Sequence, residues 1–222
     1  MSLMEKAKFV VYRTPVLDRV MSPKYPYKIN PGQLAALVAL VDATRDKGGA
    51  VAEIGVAQGD TSVFLLEHLK TTGDERELLL FDTFNGFTEE SIHVELEERG
   101  KDQDRAAYES FRYGDEAIFQ RRLSKAGYSR LRTFAGDAAK FDWSSIGPIG
   151  AVLLDIDLYQ PTNAILRAIW PHLCPGGGIV LDDCLENTPW DGSLQAYEEF
   201  IAEHGLPFER VGQKGALVRK PG

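Results

Sequence analysis

Val51-Ala52-Glu53-Ile54-Gly55-Val56-Ala57-Gln58-Gly59-Asp60-Thr61-Ser62 is the stretch whose reading decides the fold. Apolar residues enter it, two glycines sit inside it, and an amphipathic helical pattern leaves it. The order is strand, tight turn, helix, with glycines that let the backbone approach a ligand at the helix N-terminus. The next apolar run, Leu78-Leu79-Leu80-Phe81-Asp82, closes on a carboxylate. In a doubly wound sheet, a carboxylate there takes the ribose hydroxyls of a nucleoside. Gly55-x-x-x-Gly59 is not the G-x-G-x-x-G of a pyrophosphate site, and no Gly-Lys-Ser/Thr of a P-loop follows it. Glu53, just before the turn, would repel a phosphate and welcome a cationic, amine-bearing ligand. S-adenosylmethionine, with its sulfonium and amino group, fits. Either glycine alone could be a plain turn residue; the combination with Asp82 carries the nucleoside reading.

Outward from this stretch the chain alternates. Asn30-Pro31 opens a helix with an N-cap residue followed by proline at the first helical position. Leu34, Leu37, Val38 and Val41 line one face of it, and Gly48-Gly49 ends it. The helix after the opening motif spans 60–70, capped near Asp60, with Val63, Leu66 and Leu69 or Phe64 inward. Further strands are expected at 77–82, 130–135, 149–155 and 179–183. Helices are expected at about 161–173 and 191–204, and a hairpin follows from Leu206. Alternating strands and helices predict a Rossmann-like, doubly wound α/β domain. Its sheet is mostly parallel and seven-stranded, with a C-terminal antiparallel hairpin. The 222 residues read as a single domain over 1–222. Residues 1–30 form an N-terminal arm, a short helix and an irregular piece, that hints at a homo-oligomer. Residues 88–126 are too long for a βα loop. They look helical around 103–111 and 115–126, with a break at Gly114. They form either a helical lid over the C-terminal edge of the sheet or an ordinary crossover of two helices.

Composition excludes several partners. The net charge of −8 speaks against nucleic acid, which needs clustered Lys and Arg. No apolar run approaches the ~20 residues of a membrane span, and no signal-peptide pattern is present. A cytoplasmic protein is expected. Cys174 and Cys184 lack metal-finger spacing and read as reduced thiols.

Acidic residues end the strands at Asp82, Asp137, Asp155 and Asp182-Asp183. In this topology the fourth and fifth strands are neighbours, which places Asp155, Asp182 and Asp183 together. Packed carboxylates resist ionising together, and a bound divalent cation resolves the conflict. Carboxylate oxygens suit a hard ion such as Mg²⁺. Such an ion can hold an acceptor hydroxyl and lower its pKa. Alternatively, one of the three caps the following helix or pairs with Arg167.

Four motifs, in order, carry a family resemblance across roughly residues 30–205. They are Glu53-Ile54-Gly55-Val56-x-x-Gly59, Phe81-Asp82-Thr83-Phe84-Asn85-Gly86-Phe87, Leu154-Asp155-Ile156-Asp157-Leu158-Tyr159, and Pro175-Gly176-Gly177-Gly178 with Asp182-Asp183. Together they resemble the macrocin O-methyltransferase family. Those are S-adenosylmethionine-dependent enzymes that methylate sugar hydroxyls on natural products. The resemblance implies that Asp155, Asp182 and Asp183 match the family's Mg²⁺ ligands. It also implies that Glu53, Gly55 and Asp82 line the methyl donor, with Asp137 near its adenine. The donor site is expected to add Gly59, Asp60, Thr61, Thr83, Phe84, Gly136 and Asp155. The expected partner is a small-molecule hydroxyl acceptor. Cys184 stands where the family commonly has tyrosine. Leu158 stands where catechol-type relatives carry a lysine base, so the base must come from elsewhere. His93 in the 88–126 segment is the candidate, with Asp157 or a water as the alternative. His204, His172 and His68 read as helix-end or surface residues. Trp143 and Trp170 read as packing; Trp190 does too, although it could edge the acceptor pocket. Two other functions compete. A non-catalytic S-adenosylmethionine-binding protein would not need three carboxylates. A nicotinamide-dependent oxidoreductase would need a third glycine and a Tyr-x-x-x-Lys pair.

Overall fold

The structure is a computed structural model that describes residues 2–15, 22–112 and 114–222. Helix α1 (Leu3–Tyr12) opens the chain with a Ser2–Glu5 capping box, and it leaves Met4, Phe9, Val10 and Val11 exposed. Residues 16–21 of the expected arm lie outside the described residues. Helix α2 (Pro31–Ala43) starts as its sequence dictates. Asn30 accepts from the Gln33 amide, Gln33 reaches back to Asn30, and Pro31 occupies the first turn. Such a cap contributes about 1 kcal/mol. The helix stops at Ala43, before the expected Gly48-Gly49, and a 3₁₀ turn over Arg45–Lys47 bridges the gap.

Seven strands form one sheet: β1 (Ala50–Ile54), β2 (Leu78–Asp82), β3 (Leu131–Ala135), β4 (Ile149–Leu154), β5 (Leu173–Leu181), β6 (Arg210–Val211) and β7 (Gly215–Arg219). Their order is β3-β2-β1-β4-β5-β7-β6. The first five are parallel, and β7 runs antiparallel to β5. This is the predicted doubly wound, mostly parallel sheet with its antiparallel hairpin. The central strands read as unbroken apolar runs because both of their faces are covered; every residue of β4 is buried. On one face β1, β2, β4 and β5 pack against α7 (Tyr159–Ile169) and α8 (Gly192–His204) through Ile54, Phe81, Ile165, Leu166 and Tyr197. On the other, Val51, Leu80 and Leu153 meet α2 and α3 (Asp60–Thr72).

Several local expectations shift. Asp60 does not cap α3; Gly59 does so with φ 90° and no side-chain bond. Leu65, with Leu66 and Leu69, fills the inward face of α3, while Val63 and Phe64 are half-buried. Helix α7 begins at Tyr159, so Pro161 falls in its first turn, where no amide partner is lost. Strand β5 begins at Leu173, so the Pro-Gly-Gly-Gly run lies within it.

The long segment after β2 divides in two. Helix α4 (Glu89–His93) runs into a π-helical turn (Val94–Glu98), followed by α5 (Arg105–Glu109). The buried Glu95 carboxylate there accepts the Tyr159 amide at 2.7 Å, satisfying an open N–H at the start of α7. It also pairs with Arg99, which bonds Asp191 at 2.8 Å. After Gly114, α6 (Glu116–Lys125) is a crossover helix that buries Phe119 and Leu123 beside α3. Among the described residues no helix is long and apolar enough to cross a membrane. Both cysteines are free and buried.

Candidate active site

Strand β1 sits at the switch point, flanked by β2 and β4. The C-terminal ends of these strands and of β5 border a cavity of about 510 Å³, a size suited to a small-molecule ligand. Gly55 turns the chain there at φ 87°. A Cβ on it would lie 1.8 Å from the Asp155 carbonyl oxygen, so only glycine fits. Asp82 accepts from the Val56 and Ala57 amides at 3.0 and 3.1 Å and from the Phe84 amide at 2.7 Å. A carboxylate offers about four acceptor positions, so these bonds fix Asp82 and leave room for a ligand hydroxyl. Four residues other than glycine hold left-handed backbone around the cavity: Ala57 (φ 46°), Phe84 (52°), Asp157 (59°) and Asp183 (50°). Each such conformation costs on the order of 1–3 kcal/mol, and such strain gathers where a ligand must be cradled.

At the same cavity Asp155, Asp157 and Asp183 each bring a carboxylate oxygen within 4.8 Å of the others. Burial, and then the charges of Asp182, Asp157 and Asp183, hold the Asp155 carboxyl well above its ordinary pKa. Burial and the hydrogen bond to Asp183 raise Asp157 similarly. Asp182 is held differently. It accepts from Gln33 Nε2 at 2.8 Å and from Lys214 Nζ at 2.6 Å, and Lys214 also reaches Asp183 at 2.9 Å. Burial opposes the charge on Lys214, but its two aspartate partners win and raise its pKa. Asp157 thus joins the expected Asp155 and Asp183 in a carboxylate triple, and the expected Asp182 borders the same cavity, tied to Gln33 and Lys214. Arg167 pairs with Glu203 instead of any of these aspartates.

Of the other expected residues, Gly55, Asp82, Thr83, Phe84, Gly136, Asp137 and Asp155 border the cavity; Glu53, Gly59, Asp60 and Thr61 do not. Glu53 follows strand parity. Its side chain shares the α3 face with Val51 and accepts from Ser62 Oγ at 2.5 Å. His93 is exposed on α4 and does not border the cavity. His68 pairs with Asp42, and His204 bonds the Phe200 carbonyl. Trp143 is buried in the core, Trp170 packs on Phe200, and Trp190 does edge the cavity. Sequence reasoning missed Gln33, Lys214 and the rings of Phe87 and Phe111. The one available signal was for Lys214, which sits in the turn of the predicted terminal hairpin, beside β5.

Burial pushes the Glu53 carboxyl up to about 8 from 4.5, with the Ser62 bond opposing. The folded chain then binds this proton more tightly than the unfolded chain, so Glu53's contribution to stability falls as pH rises from about 4.5 to about 8. Glu53→Gln keeps an acceptor for Ser62 without the charge. Thermal melts should show wild-type stability near pH 5 and a clearly higher Tm than wild type above pH 8. Parallel pH profiles for the two proteins would refute this account of Glu53.

The chain belongs to the methyltransferase-domain family, which matches residues 52–184. It is 28% identical over 183 residues to 8-demethyl-8-(2,3-dimethoxy-alpha-L-rhamnosyl)-tetracenomycin-C 4'-O-methyltransferase of Streptomyces olivaceus, covering 77% of this chain and 66% of that protein. Among solved structures, it is similar to the O-methyltransferase NovP (TM-score 0.72, 18% identity, 90% of this chain and 84% of that one). It is also similar to the calicheamicin methyltransferase CalS11 (TM-score 0.67, 20% identity, 97% and 90%). These two likenesses concern the fold.

Proposed function

We propose that the chain is an S-adenosylmethionine-dependent O-methyltransferase that acts on a sugar hydroxyl of a natural product with the aid of a Mg²⁺-type ion. The carrying observation is that two half-sites border one cavity. The strained glycine turn with Asp82 makes one, and the triple Asp155, Asp157 and Asp183 makes the other. The family match and the rhamnosyl acceptor in the name of the Streptomyces relative support the reaction class and the sugar.

The Gly55 turn and Asp82 seat the donor's nucleoside, with Gly136 and Asp137 along the adenine. The donor set fits a hard divalent ion: all three candidate ligand atoms are carboxylate oxygens, and their mutual repulsion asks for a countercharge. Asp155, Asp157 and Asp183 would hold that ion, which when bound supplies Lewis acidity toward an acceptor hydroxyl. Lys214 and Gln33 keep Asp182 fixed beside the triple. The side chains hold the acceptor oxygen in line with the donor's methyl carbon, and catalysis rests on this positioning and on electrostatics. Asp157 borders the cavity and His93 does not, so the Asp157 oxygen not committed to the ion, or a water, replaces His93 as the proton-accepting candidate.

The test is methyl transfer to a panel of small glycosides, read as S-adenosylhomocysteine formed with Mg²⁺ or with EDTA. Turnover should fall at least a hundredfold on chelation and return with added Mg²⁺. Undiminished turnover in EDTA would remove the ion from the mechanism. Failure of S-adenosylhomocysteine to bind in calorimetry would remove the reading as a whole.

A further inference from the structure

Asp157 holds a left-handed backbone, φ 59°, between the end of β4 and the start of α7. A residue with a Cβ keeps such a shape only where its surroundings fix it. The Leu158 amide donates to the Ile156 carbonyl at 2.6 Å, which closes the turn locally. Other contacts come from remote parts of the chain. The Ser193 amide, in the first turn of α8, donates to the Asp157 carbonyl at 3.2 Å. The Tyr159 amide donates to the buried Glu95 carboxylate at 2.7 Å. Gly192 lets α8 lie this close: a Cβ there would stand 2.3 Å from the Tyr159 nitrogen and 2.9 Å from the Asp157 carbonyl oxygen.

Arg99 joins the two remote contacts. Its guanidinium pairs with the second Glu95 oxygen, with Asp191 at 2.8 Å and with Gln195 at 3.0 Å. Lys101 adds a bond to Asp191 at 2.5 Å. The contacts close a ring that runs from Asp157 to Ser193, back along the chain to Asp191, then to Arg99, to Glu95 and to Tyr159. The ring ties residues 95–101 to the loops that follow β4 and β5, and those loops carry Asp157 and Asp183 to the cavity. Docking of the 89–112 segment does not by itself call for buried charge, because Ile92 and Tyr108 already pack with Leu158 in an apolar cluster. A buried ion pair adds little stability over apolar side chains of the same volume, and its best-attested use is to fix one geometry. Glu95 also sits in the π-helical turn, a form that gathers at functional sites.

We infer that Glu95 is a positioning residue for the carboxylate triple: through the Tyr159 amide, and braced by Arg99 and Asp191, it holds the Asp157 loop in the shape that brings Asp157 to Asp155 and Asp183. This rests on the metal-assisted reading above and deepens it. Docking of residues 89–99 and assembly of the ion site become one event, so the site is complete only when that segment is in place.

The experiment measures Mg²⁺ binding to the full chain by calorimetry, with S-adenosylhomocysteine present. Glu95→Leu removes both oxygens and should weaken Mg²⁺ binding about ten- to a hundredfold, the range lost when a partner that orients a metal ligand is removed. Glu95→Gln keeps one oxygen for the Tyr159 amide and should lose a smaller share. Both variants should bind S-adenosylhomocysteine as the wild type does when Mg²⁺ is left out, which also reports that they are folded. In an Asp157→Asn background, where Asp155 and Asp183 still bind the ion more weakly, Glu95→Leu should cost almost nothing further, because effects that pass through one residue do not add. A folded Glu95→Leu protein that binds Mg²⁺ like the wild type would overturn the inference. So would losses of equal size in the two backgrounds, which mark a general structural role. Should Glu95→Leu fail to fold, Glu95→Gln is read in both backgrounds by the same criteria. A wild type that binds S-adenosylhomocysteine but no Mg²⁺ would instead overturn the metal reading on which the inference rests, and that result is seen before any variant is made.

Discussion

Asp155→Asn should leave the chain folded, raise its melting temperature in the absence of divalent ions, and cut kcat/KM for methyl transfer about a thousandfold. The stability gain follows from crowding. Asp155 shares the cavity wall with Asp157, Asp182 and Asp183, and Lys214 offsets them in part. Like charges a few ångströms apart repel by on the order of 1–4 kcal/mol at the effective dielectric of such a site. An amide of the same shape removes Asp155's share of that repulsion. The backbone that Asp155 anchors is untouched, because its amide still donates to the Ile54 carbonyl at 2.9 Å. The activity loss follows from the same substitution. An amide offers one acceptor oxygen and no charge where the site needs a full anion, and removing one such electrostatic group typically costs 10²–10³ in rate. Differential scanning fluorimetry with EDTA and with Mg²⁺, run beside a turnover assay, separates the two effects. The wild type should gain more Tm from Mg²⁺ than Asp155→Asn does, because an ion that binds only the folded state stabilises it. A variant that melts lower than wild type in EDTA, or one that keeps its turnover, would show that Asp155 is a structural residue.

The parts of this molecule that depend on neighbours in sequence were legible in advance. Asn30-Pro31 makes a helix start through contacts three residues apart. Gly55 and Gly59 mark left-handed positions that few other residues accept. Strand ends carry carboxylates at Asp82, Asp155 and Asp182 because the apolar runs stop there. What the local sequence does not show depends on parity or distance. Glu53 reads as a ligand contact beside the turn, yet it lies two residues after Val51 and so shares the α3 face, where Ser62 bonds it. Asp182 and Asp183 both border the cavity, but what else holds Asp182 is not a local property: Lys214, 32 positions away, and Gln33, 149 away, donate to it. Asp157 joins Asp155 and Asp183 through the fold rather than through the local sequence. Residues 88–126 read equally as lid and as crossover because their two halves differ. The half up to Arg112 carries Ser91 and Phe111 to the cavity, and the half after Gly114 buries Phe119 and Leu123 against α3.

Gly55→Ala should be the most damaging single methyl group in the chain. Its Cβ would lie 1.8 Å from the Asp155 carbonyl oxygen, 2.8 Å from that carbonyl's carbon and 3.2 Å from Ile156 Cγ2. The first two are backbone atoms, which cannot swing away as a flexible side chain would. The Gly55 amide is held by the Phe81 carbonyl at 2.8 Å and the Asp155 amide by the Ile54 carbonyl at 2.9 Å, so relief requires β1 and β4 to part at their C-terminal ends. The left-handed φ of 87° adds about 1–2 kcal/mol on its own for any residue with a Cβ. The total should exceed about 4 kcal/mol, a range reached only by clashes or lost networks of this kind. Gly48→Ala is the matched control. It shares a left-handed φ of 69° but has no atom within 4 Å of its Cβ, so it should cost about 1 kcal/mol. Urea midpoints for both variants read the difference directly. The proposed chemistry follows the same contact: the turn proposed to seat the donor and the carboxylate of Asp155 are spaced by this one approach of backbone to backbone. Any Gly55→Ala protein that still folds should therefore lose donor binding along with turnover. Equal midpoints for Gly55→Ala and Gly48→Ala would mean that β1 and β4 tolerate separation there, and that the two half-sites are not fixed to each other through Gly55.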